Sequence, residues 1–317
     1  MSNKSNDQGR AYEYITLITL QREISKFRPA NIEINSSYHA AQNAWETLTK
    51  EQKDVYQTSA SAAVLKIFEL EPRIIEDGGD TLELLIQPDS KGESGDVRDI
   101  LIIRRNIKWE VGLSLKHNHF AVKHSRLSAR LDFGKSWYGI PCSSEYWEDV
   151  EPVFSFLNNE KAKGTKFSDL SNKEEDVYVP LLTAFINEIG RQYKTDSTIP
   201  HKLVEYLLGK YDFYKVISVD KARLTRIQGF NLHGNLNKSA QDEKPAISVP
   251  LVTLPTRIVR LDFVPESRTT VELYMDGGWQ FTFRIHNAAT KVEPSLKFDI
   301  QIVGMPTAII TINCCWD

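Results

Sequence analysis

The chain is expected to be a mixed α/β (α+β) protein, and three observations support this. The first seventy residues space their apolar side chains as helices do, short apolar runs bounded by turn residues begin at Thr81, and the last third consists largely of such runs. With 317 residues, 41% hydrophobic and 26% charged, the chain can bury a substantial core, which excludes a disordered or collagen-like protein.

Taken in order, AYEYITLITLQREISKF has helical periodicity, and Thr49 with Gln52 forms a capping box before a second helical run. TLELLIQ, DILIIRR and KWEVGLSLK then read as consecutive strands, the first two parted by a loop rich in Pro, Gly, Ser and Asp. Phe120 to Leu131 has the composition of a helix, with Lys123, Arg126 and Arg130 on or near one face. Tyr146 to Leu157 and Val177 to Tyr193 are further helical regions, the second with Pro180 in its first turn. From about Tyr214 the chain is strand-rich, with AISVPLVTL, RIVRLDFV, TTVELYM, WQFTFRI, LKFDIQIV and AIITINCCW separated by turns such as Asp276-Gly277-Gly278.

The N-terminus MSNKSNDQGR has no apolar segment and no run of about eighteen apolar residues follows, so neither a secretory signal nor a spanning helix is expected and a cytoplasmic location is. Cys142, Cys314 and Cys315 suit neither a disulfide framework nor a zinc site. The net charge of -3 argues against wholesale coating of nucleic acid, but it hides a basic island: between Arg98 and Arg130 there are eight Lys or Arg against two acids. Such an island is a candidate anion-binding face.

The chemistry concentrates in GDVRDILIIRRNIKWEVGLSLKHNHFAVKHSRLS. Asp99 opens one apolar strand and Lys116 closes the next, with Ser114 two residues earlier and therefore on the same face as Lys116. A hairpin brings that face level with Asp99, so a carboxylate, a hydroxyl and an ammonium converge. Asp99 suits Mg2+, which prefers oxygen ligands and keeps waters, and Lys116 suits an attacking water and the charge of a pentavalent phosphate.

At these residues the chain resembles the PD-(D/E)xK nuclease superfamily, whose motif is an acid followed after one hairpin by acid-x-Lys; here Ser114 replaces the second acid, giving the SxK variant. AYEY, KHNHFAVKHSRLS and GWQFTFRIHNAATKVEPSLKFDIQIVGMP are similar to the HaeIII-type restriction endonucleases over nearly the whole chain. The resemblance implies a restriction-endonuclease-like mixed central sheet flanked by helices, with a strand-rich C-terminal DNA-recognition region. It also implies Mg2+-dependent cleavage of double-stranded DNA at GGCC to blunt ends. Residues 1–212 would be the nuclease core and 213–317 the recognition region. A cognate DNA methyltransferase would act on the same site, with no physical contact implied.

Three residues are candidates for the missing acid. Glu13 comes first, because superfamily members often bring an acid from such a helix to the sheet edge; as an ordinary helix carboxylate it would simply be solvated. Glu110 shares the strand parity of Ser114 but lies roughly 13 Å away without a bulge. Asp132 follows the region after Lys116. Pro88-Asp89 spells the superfamily's dipeptide but leads into a turn, and Asp96 does not run directly into ILII. A second SLK, Ser295 to Lys297, follows Glu293 and Asp276 and competes for the role. His117 and His119 flank Asn118, but three adjacent residues cannot reproduce an HNH nuclease site, so they are assigned to backbone contact or to structure.

A four-base site requires donors aimed at guanine edges, where an Arg or Lys is worth about 1–3 kcal/mol of discrimination. Arg257, Arg260, Arg284 and Lys297 can serve, with His286 and Asn287 beside Arg284, and alternation in WQFTFRIH puts Gln280, Thr282, Arg284 and His286 on one face. Lys221, Arg223 and Arg226 form a second cluster suited to phosphate. A blunt cut in a palindrome needs two scissions related by a twofold axis, so a homodimer is expected, with a monomer acting twice as the alternative. The other function classes open on sequence are a DNA-binding protein with a degenerate nuclease site and a non-specific repair or recombination nuclease. A methyltransferase is disfavoured, since no glycine-rich loop follows a strand.

Overall fold

The structure, a computed structural model, describes residues 2–76, 79–88, 95–118 and 122–316. The chain forms two compact units, Met1–Phe120 with Lys210–Thr253 and Thr307–Asp317, and Ala121–Gly209 with Leu254–Pro306. It therefore passes between units four times, at 120/121, 209/210, 253/254 and 306/307, where the sequence leads one to expect a single boundary at 212/213. Among the described residues, no helix is long and apolar enough to cross a membrane.

The first unit is built on a seven-stranded mixed sheet. Its strands are β1 (Ala30–Ile32), β2 (Leu82–Ile86), β3 (Ile100–Arg104), β4 (Trp109–His117), β6 (Phe213–Val219), β7 (Leu224–Phe230) and β12 (Thr311–Cys315), in the order β1-β2-β3-β4-β6-β7-β12. The pairs β1/β2 and β4/β6 are parallel and the others antiparallel. Three helices, α1 (Ser2–Ile24), α2 (Ser36–Glu46) and α3 (Lys50–Leu70), fill the N-terminal region as expected. The Thr49–Gln52 capping box closes in both directions. Tyr12, Ile15, Leu20 and Ile24 recur at helical spacing and are buried, in one core with Leu113, Leu115, Tyr214, Val216 and Ile227 of the sheet. One sheet face is thus apolar and holds the helices, which leaves the other for polar residues.

The second unit carries an antiparallel sheet, β5 (Lys123–Ser128), β8 (Ile258–Phe263), β9 (Thr270–Met275), β10 (Gln280–Asn287) and β11 (Ser295–Gly304), in the order β5-β11-β10-β9-β8. Its helices are α4 (Phe133–Trp137), α5 (Ser144–Ala162), α6 (Val179–Thr195, Pro180 in the first turn) and α7 (Ile199–Leu208). Phe281, Phe283 and Ile285 are buried, against an aromatic core that includes Trp137, Phe185 and Phe298, while Arg284 is exposed.

Two expected elements differ. The stretch expected to be a helix at Phe120 to Leu131 holds strand β5 at Lys123–Ser128, followed by a turn. Ser125 and Ser128 favour non-helical backbone, and β11 offers a complete ladder on which Leu127 buries fully. AISVPLVTL joins no sheet: Pro250 and Pro255 lack the donor a ladder needs, and Val249 and Val252 are buried as extended coil instead.

Candidate active site

Asp99 precedes β3, yet the ladder continues through it: its N–H donates to Leu113 O at 2.8 Å and its C=O accepts from Gln87 N at 2.9 Å. Because Ile100 faces Leu113, Asp99 stands opposite Ser114. Asp99 Oδ2 accepts from Leu115 N at 2.6 Å and lies 3.4 Å from both Ser114 Oγ and Lys116 Nζ. The Asp99 and Lys116 side chains are 25% and 27% exposed, so the pair is held in place yet open to a substrate. All the hydrogen bonds of this carboxylate among the described residues fall on Oδ2, which leaves Oδ1 for a hard cation.

The acid candidates sit differently. Glu13 lines a recess of about 280 Å3 with Arg10, Ser36, Ser37 and Gln87, and Gln87 is the residue whose N–H bonds the Asp99 carbonyl. Glu110 is taken by Arg98, at 2.7 Å, and Asp132 caps α4 in the second unit, accepting from Lys135 N and Cys142 N at 2.9 and 3.0 Å. Among the described residues, no three His, Cys, Asp or Glu come together as a metal cluster. Asp96 grips Arg98 through both oxygens at 2.8 Å; burial opposes its charge, but the guanidinium prevails and holds the carboxyl below its usual range. Arg98 reaches Glu110 by crossing Gly112, where any Cβ would overlap its side chain. Gly112→Ala should therefore break a buried ion network and cost about 2–4 kcal/mol in denaturant unfolding.

The basic island is less free than its composition suggests. Arg98, Arg104 and Arg105 pair with acids from neighbouring segments, namely Asp96 and Glu110, Asp80 and Glu76, and Glu83. Lys123 lies on β5, not on a helix face, and donates to Tyr206 O at 2.9 Å; burial pushes its pKa down to about 8, which ill suits a solvated phosphate-tracking lysine. His117 points away from Lys116, into the helical layer, with its ring nitrogens 3.0 Å from Tyr56 Oη and 2.8 Å from Asp220 Oδ2. Those contacts hold the His117 ring between Tyr56 and Asp220. His119 and Asp89 lie outside the described residues.

In the second unit Arg284, His286 and Asn287 line a hollow of about 390 Å3 with Lys173 and Tyr178. His286 stands between Arg284 and Lys297 on the polar face, and burial followed by the Lys297 charge lowers its pKa. Lys297 also faces Arg126, which is exposed, as is Arg130. Among the described residues no ion pair joins a carboxylate to Lys297 as Asp99 joins Lys116, and the Asp276 carboxylate accepts from Thr256 and Arg257 N. Arg257 is exposed, whereas Arg260 pairs with Glu272 at 3.1 Å. Arg223 occupies a left-handed turn after β6, and Arg226 Nε donates to Asn313 at 3.0 Å.

One residue escaped the sequence reading. Lys215 on β6 is the parallel partner of Ser114 and is buried; burial, and then the charge of Lys116, push its pKa down to about 7.

Comparison with known proteins decides the family. The model of the HaeIII restriction endonuclease family matches residues 9–306. The chain belongs to the HaeIII restriction endonuclease family. Over 318 aligned residues it is 53% identical to the type II restriction enzyme HaeIII of Haemophilus aegyptius, covering all of both chains. No solved structure matches it. As a member of the HaeIII family it is a type II restriction endonuclease, a site-specific deoxyribonuclease acting on DNA. Enzymes of this type generally use a divalent metal.

Proposed function

We propose that the chain cuts double-stranded DNA at GGCC to blunt ends by Mg2+-dependent hydrolysis at Asp99, Ser114 and Lys116. The observation that carries this reading is the 3.4 Å approach of Lys116 Nζ to a carboxylate whose second oxygen stays available. One carboxylate, a hydroxyl and waters suit Mg2+, which takes one or two carboxylates and completes its shell from substrate phosphate, so the lack of a three-acid cluster among the described residues does not count against it. Asp99 would hold the ion, with Glu13 as the second acid, and the bound ion would supply Lewis acidity at the phosphate. Leu115 N–H fixes the carboxylate, while Lys116 orients the attacking water and offsets charge on the pentavalent phosphate.

Support for a recognition role of the second unit comes from the polar face of β10, where Arg284, His286 and Asn287 present donors for guanine edges. A homodimer would supply the two symmetric scissions, and the enzyme would work in the cytoplasm beside a methyltransferase that protects the same sites. Incubating a plasmid with and without Mg2+ tests the reading. Discrete fragments whose sequenced ends are flush within GGCC are expected only with the metal; random nicks, or another end sequence, would overturn it.

A further inference from the structure

Lys116 stands where β4 has least support. On the β3 side the ladder, counting the bond from Asp99 N–H to Leu113 O, reaches no further than Ser114 among the described residues. Asp99 Oδ2 then takes the N–H of Leu115, the residue before the lysine. Lys116 and His117 themselves pair on the other side alone, with Ile217 and Ser218 of β6. A strand end of that kind frays unless something ties it down. The ammonium does not, since it stands off from Asp99 at 3.4 Å on a flexible, partly exposed chain.

The tie is Asp220, which opens the turn Asp220–Ala222 between β6 and β7. Its Oδ2 lies 2.8 Å from His117 Nε2 and accepts from Asn118 Nδ2 at 3.0 Å, and its N–H donates to Asn118 Oδ1 at 3.0 Å. Ser218 Oγ donates to the other carboxylate oxygen at 2.9 Å, while Ser218 O accepts from Asn118 N at 2.8 Å. Burial opposes the charge of Asp220, but the bonds from His117, Ser218 and Asn118 prevail and hold the carboxyl below its usual range. A carboxylate only accepts, so His117 Nε2 carries the proton and Nδ1 is left to Tyr56 Oη of α3, at 3.0 Å. Asn118 takes a left-handed backbone, φ 52°, which Asn tolerates better than most residues. Both residues that follow Lys116 are thus gripped by one carboxylate.

We propose that Asp220 is a positioning residue for Lys116: by holding His117 and Asn118 it fixes the one-sided end of β4 and so keeps the ammonium within reach of Asp99 and the scissile phosphate. The proposal rests on Asp99, Ser114 and Lys116 being the cleavage site.

The test is single-turnover cleavage of a GGCC duplex by the full chain in Mg2+, with enzyme in increasing excess so that the rate constant is separated from the affinity. Asp220→Ala should lower the rate constant by about ten- to a hundredfold at unchanged affinity, the scale of a misplacement of about 1 Å. Asp220→Asn, which keeps an acceptor for His117, should recover most of the loss. In a Lys116→Met background Asp220→Ala should cost nothing further, because the group it positions is gone. Thermal unfolding checks each variant. Should Asp220→Ala not fold, Asn118→Gly strips the side-chain bonds at an exposed residue, suits the left-handed backbone, and should show the same dependence on Lys116 with a smaller loss. A folded Asp220→Ala that cuts at the wild-type rate while Lys116→Met collapses would overturn the proposal and leave the cleavage site standing. So would losses that multiply in the double variant, since Asp220 would then act other than through Lys116. Lys116→Met within tenfold of wild type would instead show that the cleavage site itself is misplaced.

Discussion

Lys116→Met should lower kcat/KM for plasmid cleavage by about three orders of magnitude while the protein stays folded, the scale expected when a charge that stabilises the transition state is removed. The fold should survive because Lys116 is not what holds Asp99 in place. The Leu115 N–H does that, at 2.6 Å, whereas the ammonium stands off at 3.4 Å and both partners are about a quarter exposed. A pair of that kind contributes about 1 kcal/mol or less to stability. Urea unfolding should therefore move little while turnover collapses. Turnover within tenfold of wild type would move the reaction away from β4 and bring Lys297, the other SLK lysine, back into consideration.

The meeting of Asp99 with Ser114 and Lys116 was legible in the sequence because it depends on local rules: alternation along β4 and a short hairpin decide which residues stand opposite. Lys215 was not legible. Its neighbour across the sheet is set by a parallel pairing, and between β4 and β6 the chain makes an excursion through the second unit, so no spacing rule links position 114 to position 215. The same limit explains the misread stretch at Phe120 to Leu131. Its composition is ambiguous, and the partner that makes it a strand, β11, begins at Ser295. The basic island misled for a related reason: the acids that neutralise Arg104 and Arg105, at positions 76, 80 and 83, fall outside a window drawn along the chain. Alternation in β10 was readable because one strand with an apolar face carries its own register signal, and the burial of Phe281, Phe283 and Ile285 matches it.

Stability should vary with pH along two limbs that meet near neutrality, the acid limb set chiefly by Glu71 and the alkaline limb chiefly by Lys215, with Lys123, lowered to about 8 by burial, adding to the second. Glu71 is fully buried, its Oε1 accepting from Tyr214 Oη at 2.7 Å and Asn237 N at 2.5 Å, and its carboxyl is pushed up to about 7, chiefly by burial. A raised acid contributes stability that is fully present below its ordinary 4.5 and is lost as pH rises through about 7, a fall of roughly 3 kcal/mol. Lys215 works in the other sense. Its pKa is lowered from 10.5 to about 7, so its contribution is present above 10.5 and lost as pH falls through 7, roughly 5 kcal/mol over the full range. Urea titrations from pH 5 to 9.5 should thus show a minimum near pH 7 in the wild type. Glu71→Gln, which keeps the acceptor oxygen, should flatten the acid limb. Lys215→Met should remove most of the alkaline limb, leaving the part due to Lys123, and raise stability at pH 7 by roughly 2–4 kcal/mol, since an apolar chain of the same length escapes the cost of a buried charge. A Lys215→Met protein no more stable than wild type at pH 7, with its alkaline limb intact, would show that the buried ammonium carries no such penalty.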